Sequence, residues 1–455
     1  MNIVYMHTHD SGTFLKPYGH NVPTDNLLDF AKDATVFRQA FCTAPTCSPS
    51  RAALLTGMYP HSNGMLGLAH RGFKINDYSK HMAQYLKNFN YETALSGVQH
   101  EAAIWTEYEK AAKIIGYDVN LTKEPETKEE GEMVDWDLKN AKSAADYIIK
   151  KSKTGEKFFL SFGMFSTHRK YPEKIDDEID ERYVALPPMT KDTEENRRDT
   201  ARYLTSAKKA DECIKIVLDA LKVGGIYNNT VIIFTTDHGI ANPFNKCTLF
   251  DSGIGVALIL RDPRQKEQGK VIDSMISQVD IFPTLCDVVG IPKPKWLQGI
   301  SFSSLIEGKE ESVREEIYAE INFHTSYEPA RCIRTKRYKY IKYFDNDYLK
   351  YNYSNIDDSQ PKKLLLDHGL MDMKKDREAL YDLYFDPYEK RNLVNEGFYQ
   401  NTLMELKEKL NRWQVDTKDD ILNGKLAIPK GSKVNKKYCI SPGSKNKEDY
   451  DSYPD

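Results

Sequence analysis

The chain has 455 residues and a formal net charge of −3, with 29% charged and 40% hydrophobic residues. That is the composition of a folded globular protein, either one large α/β unit with an appendage or two to three units, and near neutrality argues against a non-specific nucleic-acid binder. No apolar run is long enough to cross a bilayer, and the opening MNIVYMHTHD lacks the basic start and long apolar stretch of an export signal.

In chain order, NIVYM reads as a buried strand running into His9-Asp10, and NLLDFAKDA as a helix. CTAPTCSPSRAALLTG (42–57) follows. Its two cysteines have neither a second CxxC pair nor a histidine at metal-finger spacing. Pro49 suits a first helical position with Ser48 as cap, RAALLT supplies the first turns, and Gly57 stops them. Cys47 then lies at a helix N-terminus, where the dipole favours an anion and is expected to lower the thiol's pKa. Arg51 adds a fixed charge one turn along, and Cys42 reads as a small core residue.

SKHMAQYLKNF has helical spacing, and YETALSG is a strand with His100 just beyond it. The acidic stretch KEPETKEEGEMVDWD reads as a solvated surface loop. KFFLSFGMF is an apolar strand followed by His168. TSAKKADECIKIVLDALKVGG is an amphipathic helix ending at Gly224-Gly225. NTVIIFTTDHG is the clearest strand and ends in Asp237-His238. VALILRD and MISQVDIFPTLCDVVG read as strand, then helix.

Beyond about residue 320 the texture changes. RCIRTKRYKYIKYF alternates, and ALYDLYFDPYEKRNLV follows a polar stretch. Together they predict a small antiparallel sheet, with a last helix at TLMELKEKLNRWQ. The Tyr/Lys alternation from Arg334 to Tyr343 fits an exposed sheet face better than nucleic-acid stacking. The tail from about Gly424 is expected to wrap the surface or lie loose. The fold class is therefore α/β: a mostly parallel sheet flanked by helices over residues 1–320, and a smaller antiparallel sheet with a helix over 321–455. Seven scattered cysteines, an odd number, suit a reducing compartment, so the expected setting is cytoplasmic.

Ligands of open parallel sheets gather beyond the carboxyl ends of the strands. Four strands here end in His9-Asp10, His100, His168 and Asp237-His238. One such histidine is ordinary; four on a shared rim predict a site.

Cys47-Ser48-Pro49-Ser50-Arg51 followed by Leu55-Thr56-Gly57 resembles the sulfatase-family signature C-x-P-S-R…T-G. The resemblance extends to the His9-Asp10 turn, FTTDHG and LYDLYFDPYEKRNL. HSNGMLGLAH and RWQVDT are most similar to the heparan N-sulfatase (sulfamidase) branch. It implies an alkaline-phosphatase-like fold, with 1–320 as the catalytic domain, a divalent metal (calcium in the family), and oxidation of Cys47 to formylglycine by a maturation enzyme. The aldehyde hydrate carries two hydroxyls. One attacks sulfur in line and the other then expels sulfate, a second step unavailable to Cys or Ser. Metal, Arg51 and a Lys stabilise the charge, and a general acid protonates the leaving group.

Residue by residue, the resemblance implies Asp10 and Asp237 as metal carboxylates, with His9 and His238 where the family commonly has Asp and Asn. Cys47 itself also belongs to the metal set. His100 matches the pocket histidine, His168 the one facing the leaving group (Thr167 replaces the usual Pro), and Lys246 an active-site Lys. Asp251 stands where an acid is often found. His70 and Arg71 are expected substrate contacts. Val98 replaces a catalytic Lys. Losing such a donor costs on the order of 2.7–4 kcal/mol where nothing replaces it, so either Arg71 or another cation compensates, or activity is slow or directed elsewhere. Two imidazoles shift the metal preference from calcium toward zinc or manganese if both ligate, and His9 is equally readable as a hydrogen-bonding supporter. The expected activity is hydrolysis of a sulfate ester or sulfamate on a small glycosaminoglycan-derived sugar, with no nucleic-acid or membrane partner. A phosphonate or phosphodiester hydrolase, and a catalytically silent sulfated-glycan binder, stay open as alternatives.

Overall fold

The computed structural model describes residues 1–103, 107–126 and 133–453. Eight strands form one sheet: β1 (Asn2–Thr8), β2 (Thr35–Phe41), β3 (Glu92–Gly97), β4 (Val119–Asn120), β5 (Phe158–Gly163), β6 (Thr230–Thr236), β7 (Gly255–Arg261) and β8 (Lys270–Ser277). Their order is β4-β3-β5-β1-β6-β7-β2-β8, and only β7 runs against its neighbours. β1 is central, with Tyr5 opposite Ser161 on one side and Ile233 on the other. A strand covered on both faces reads as a continuous apolar run, which is why NIVYM shows no alternation.

Strand period two then sorts the core into two layers. Val4, Met6, Leu160, Phe162, Ile232 and Phe234 pack against residues of the helices Met133–Thr154 and Glu194–Val223. Ile3, Tyr5, Phe159 and Ile233 face the other way, toward the helices Cys47–Thr56 and Ile281–Val289. The helix Glu194–Val223 starts ahead of the predicted Thr205 because Thr193 caps it, accepting the Asn196 N–H at 3.2 Å. It ends at Gly224 as expected. The acidic stretch is only partly a loop. Residues 127–132 lie outside the described residues, but Met133 opens a helix whose Trp136 and Asp137 are buried.

The second sheet is antiparallel, in the order β12-β11-β10-β9, from β9 (Glu316–Phe323), β10 (Tyr327–Thr335), β11 (Tyr338–Tyr343) and β12 (Glu378–Asp382). It starts ahead of residue 321, so the predicted division falls inside β9. Its Arg334–Tyr343 alternation is not an exposed face. Ile317, Ala319, Cys332 and Ile341 join the core of the large sheet. Ile333, Tyr340 and Leu380 are covered by Leu403, Leu406, Leu410 and Trp413 of the helix Gln400–Asp416. Lys339 is fully buried because its ammonium reaches Asp251 at 2.6 Å and Glu389 at 2.8 Å. Period alone cannot separate a half-covered sheet from one covered on both faces. The tail wraps, as Asn435 N–H donates to the Thr325 carbonyl and Lys433 N–H to that of Arg71. All seven cysteines are free and buried. No described helix is long and apolar enough to cross a membrane.

Candidate functional site

Because β1, β3, β5 and β6 are mutually parallel, their C-terminal ends share one rim, and His9-Asp10, His100, His168 and Asp237-His238 meet there. The signature helix begins at Cys47, with Thr46 in extended conformation before it. Pro49 falls in the first turn, where its missing N–H is not needed. Ser48 is not the cap: its hydroxyl accepts the Ala69 N–H at 2.9 Å. Thr46 makes no cap bond either; its hydroxyl lies 2.6 Å from His324 Nδ1. Gly57 closes the helix in the left-handed region at φ 65°, as predicted.

The carboxylates are held by backbone as well as side chains. Asp10 sits at φ 37° and donates its N–H to Asp237 Oδ1 at 2.9 Å. His238 N–H donates to the same oxygen at 3.0 Å. Asp237 Oδ2 accepts Arg51 Nε and Nη2 at 3.3 and 3.2 Å and lies 3.3 Å from His9 Nδ1. Burial alone would raise the Asp237 carboxyl; His238, Arg51 and His9 hold it well below the usual range. Lys246 Nζ reaches Asp10 Oδ2 at 3.0 Å, and burial is outweighed by Asp10 and Asp357 in keeping its ammonium charged.

Four ligand atoms, one each from Asp10, Cys47, Asp237 and His238, lie within 4.8 Å of one another, and a second such group comprises His9, Asp10, Cys47 and His168. The chemistry of this set fits a cation. His238 Nδ1 lies 3.0 Å from the Gly239 carbonyl, to which it donates, and this turns Nε2 toward Asp10 Oδ1 at 3.2 Å and Cys47 Sγ at 3.3 Å. Two carboxylates, an imidazole nitrogen and a sulfur converging in one buried spot are a donor set of the kind that holds a divalent cation, even with Lys246 and Arg51 already on the carboxylates. His9 Nε2 and Asp10 Oδ1, both buried, make no hydrogen bond.

The remaining predicted residues divide. His100 is buried, its ring 4.7 Å from that of His9; burial, His9 and Arg51 hold its imidazole well below the ordinary range. The His168 ring is 5.2 Å from His9, and its Nδ1 is engaged by the Arg169 carbonyl. The strand end beneath it is braced by buried Asp137, which accepts the N–H groups of Phe165 and Ser166 at 2.7 Å. Thr167 bonds the His9 carbonyl and Ser11. That ties the His168 loop to the His9 turn in the place of the family's proline. His70 is exposed on the rim, 6.5 Å from His100.

Three expectations are corrected. The Cys47 thiol is pushed up rather than down, because its complete burial outweighs the helix N-terminus and Lys246. Arg71 is not directed at substrate: its guanidinium holds the C-terminal tail through Asn435 Oδ1 at 2.8 Å and the Pro442 carbonyl at 2.6 Å. It therefore does not replace the lysine lost at Val98, which is buried with Met133, Trp136 and Phe165. Asp251 serves the junction of the two sheets through Lys339 and Arg334.

Sequence reasoning missed three residues. His7, whose Nδ1 lies 2.6 Å from Arg51 Nη1, shares a strand face with His9 by period two, so a signal existed. Asp357, 2.9 Å from Lys246, and His324 come from the second sheet's loops and carry no local signal.

A sulfatase family model matches residues 2–291, and a model of the N-sulphoglucosamine sulphohydrolase C-terminal region matches residues 237–369. An ulvan-active sulfatase of Formosa agariphila is 26% identical, over 96% of this chain and 77% of its own length. Human N-sulphoglucosamine sulphohydrolase is 24% identical over 88% of this chain and 86% of its own. A solved structure of a protein in complex with its substrate D-glucosamine-2-N,6-O-disulfate shares the fold at a TM-score of 0.67 and 18% identity, covering 93% of this chain and 99% of that one.

Proposed function

The chain belongs to the sulfatase family and hydrolyses sulfate esters, and from that premise we propose that its substrate is a sulfate ester or sulfamate on a small glycosaminoglycan-derived saccharide. The relative named N-sulphoglucosamine sulphohydrolase supports that substrate class. The observation that carries the site assignment is the buried convergence of Cys47 Sγ, Asp10, Asp237 and His238 Nε2 on one spot at the rim.

Asp10, Asp237 and His238 would hold a divalent metal, with His9 Nε2 available to it. A carboxylate–imidazole set of this kind suits manganese or zinc better than calcium. Such an ion would supply electrostatic stabilisation to the sulfate oxygens. Cys47, converted to formylglycine by a maturation enzyme, supplies the attacking hydroxyl. Arg51 cannot swing toward substrate freely, being clamped by Asp237 and His7, so it acts as a fixed charge beneath position 47. Lys246 places a second fixed charge beside Asp10. His168 donates the proton to the leaving oxygen or nitrogen: with Nδ1 held by the Arg169 carbonyl, Nε2 is the nitrogen free to carry it. His100 packs on His9 and orients it, and His70 contacts the sugar at the rim. Residues 1–320 act as the catalytic unit; 321–455 complete its wall through His324 and Asp357. An odd number of cysteines, none of them paired in a disulfide, suits a cytoplasmic enzyme acting on imported saccharides.

The test is sulfate release from a panel of defined sulfated mono- and disaccharides by protein shown by mass spectrometry to carry the aldehyde at position 47. Release from at least one N- or O-sulfated glucosamine or hexuronate is expected. Aldehyde-bearing protein that binds these sugars without releasing sulfate overturns the reading.

A further inference from the structure

Lys246 has two carboxylate partners, and only one is on the rim. Its Nζ lies 3.0 Å from Asp10 Oδ2 and 2.9 Å from Asp357 Oδ2. Asp10 and Asp357 therefore share one ammonium. The Asp357 side chain is 16% exposed, whereas those of Lys246 and Asp10 are 3% and 0% exposed. Along the line Asp10–Lys246–Asp357 the last carboxylate is thus the end nearest solvent.

The position is built, not incidental. The turn carrying it is clamped to the β9–β10 connection by Asn355, whose Oδ1 accepts the N–H groups of Thr325 at 3.1 Å and Ser326 at 2.9 Å. Asn355 Nδ2 donates to Glu328 at 2.8 Å. On the other side Asp358 is tied to Lys362 at 2.7 Å and to Ser441 at 2.6 Å. Asp357 between them is held in place, and burial notwithstanding, Lys246, His324 and His168 keep its carboxyl below the ordinary range.

Resting on the sulfatase reading above, we propose that Asp357 is a specificity-determining residue: its carboxylate admits a sugar bearing a hydroxyl or ammonium beside the sulfated position and rejects one bearing a second anion there. One ammonium shared by two carboxylates leaves a net negative charge, and Asp10 spends its own on the cation site. An ionised carboxylate only accepts hydrogen bonds, so a substrate group reaching it must donate. A second sulfate or a carboxylate at that place meets like charge in a partly desolvated site, which is a repulsive element of the kind that sets selectivity. The reacting sulfate itself escapes this repulsion because Lys246 stands between Asp357 and Asp10.

Two aryl sulfates isolate the effect: 2-hydroxyphenyl sulfate offers a neighbouring donor and 2-carboxyphenyl sulfate a neighbouring anion. Wild-type aldehyde-bearing enzyme is expected to prefer the first in kcat/KM. Asp357→Asn should narrow that preference about tenfold, while Asp357→Glu should retain its sign. The same ratio is read from dissociation constants, by calorimetry on Cys47→Ala protein with and without Asp357→Asn. If Asp357 merely braced Lys246, both probes would weaken together and the ratio would not move; that result overturns the proposal, as does a wild-type ratio near one. Should the Asn variant fail to fold, Asp357→Ser carries the same comparison. Aldehyde-bearing wild type that releases no sulfate from the saccharide panel refutes the functional reading instead, and the binding ratio still decides the role of Asp357.

Discussion

Replacing Lys246 by Met separates the two jobs of its charge. Met keeps most of the stem and removes the ammonium that lies 3.0 Å from Asp10 and 2.9 Å from Asp357. At an effective dielectric of about 20, each unit-charge contact at that distance is worth roughly 5 kcal/mol before desolvation. The buried ammonium itself cost several kcal/mol to desolvate, so the net loss on breaking the pair is about 3–5 kcal/mol. Metal-free Lys246→Met protein should therefore melt clearly below the wild type. Asp10, no longer sharing its charge, should bind a divalent ion more tightly, so added manganese or zinc should recover more of the melting temperature in the variant than in the wild type. Turnover should still fall about 10²–10³-fold, the loss that follows removal of one fixed donor at developing negative charge. The assays are a melting curve with and without metal, a competitive metal titration, and kcat on an aryl sulfate. A variant that loses metal affinity and turnover in parallel would refute the reasoning, since Lys246 would then be organising the metal set rather than competing with it.

Chelation should lower both melting temperature and turnover of the wild type, with manganese or zinc restoring them at lower concentration than calcium; calcium restoring them best would remove His238 and His9 from the ligand set. Gly163→Ala should be strongly destabilising, because a Cβ there falls 2.1 Å from the Val98 carbonyl and 2.6 Å from the His7 ring, neither of which can move without disturbing β3 or the support of Arg51. A loss of at least about 1–3 kcal/mol is expected, read as soluble yield and melting temperature. Asp419 accepts Arg331 Nε at 2.6 Å and Nη2 at 2.8 Å in a fully buried pair. Burial opposes its charge, but Arg331 depresses the carboxyl. Its contribution is complete above the ordinary carboxylate pKa of about 3.9 and is lost as pH falls through the lower folded value. Melting temperature against pH should thus fall less steeply below about pH 4 in Asp419→Asn than in the wild type; identical slopes would contradict the assignment.

The legible parts of this protein are those with local causes. NIVYM, KFFLSFGMF and NTVIIFTT show themselves as strands because central parallel strands must be apolar on both faces. RAALLTG shows its own end because Gly57 accepts the left-handed conformation. The rim was legible one step further out, since parallel strands end together and each of four ended in His or Asp. His7 lay within reach of the same logic, one strand period before His9.

Side-chain direction, burial and partners come from residues far away along the chain. Arg71 looked like a substrate contact and instead grips the tail at Asn435 and Pro442. The helix N-terminus before Cys47 promised a depressed thiol, and complete burial beside the Asp10 and Asp237 carboxylates reversed it. Lys339 and Arg334 read as a solvated stripe until Asp251 and Glu389 arrived across the junction. Sequence by itself determined the strand run, the helix starts and stops and the residue types on the rim, because these are decided within a few bonds. Tertiary structure alone decided that one cation holds Asp10 to Asp357, because charges are paired by distance in space, and folding brings together what the chain keeps apart.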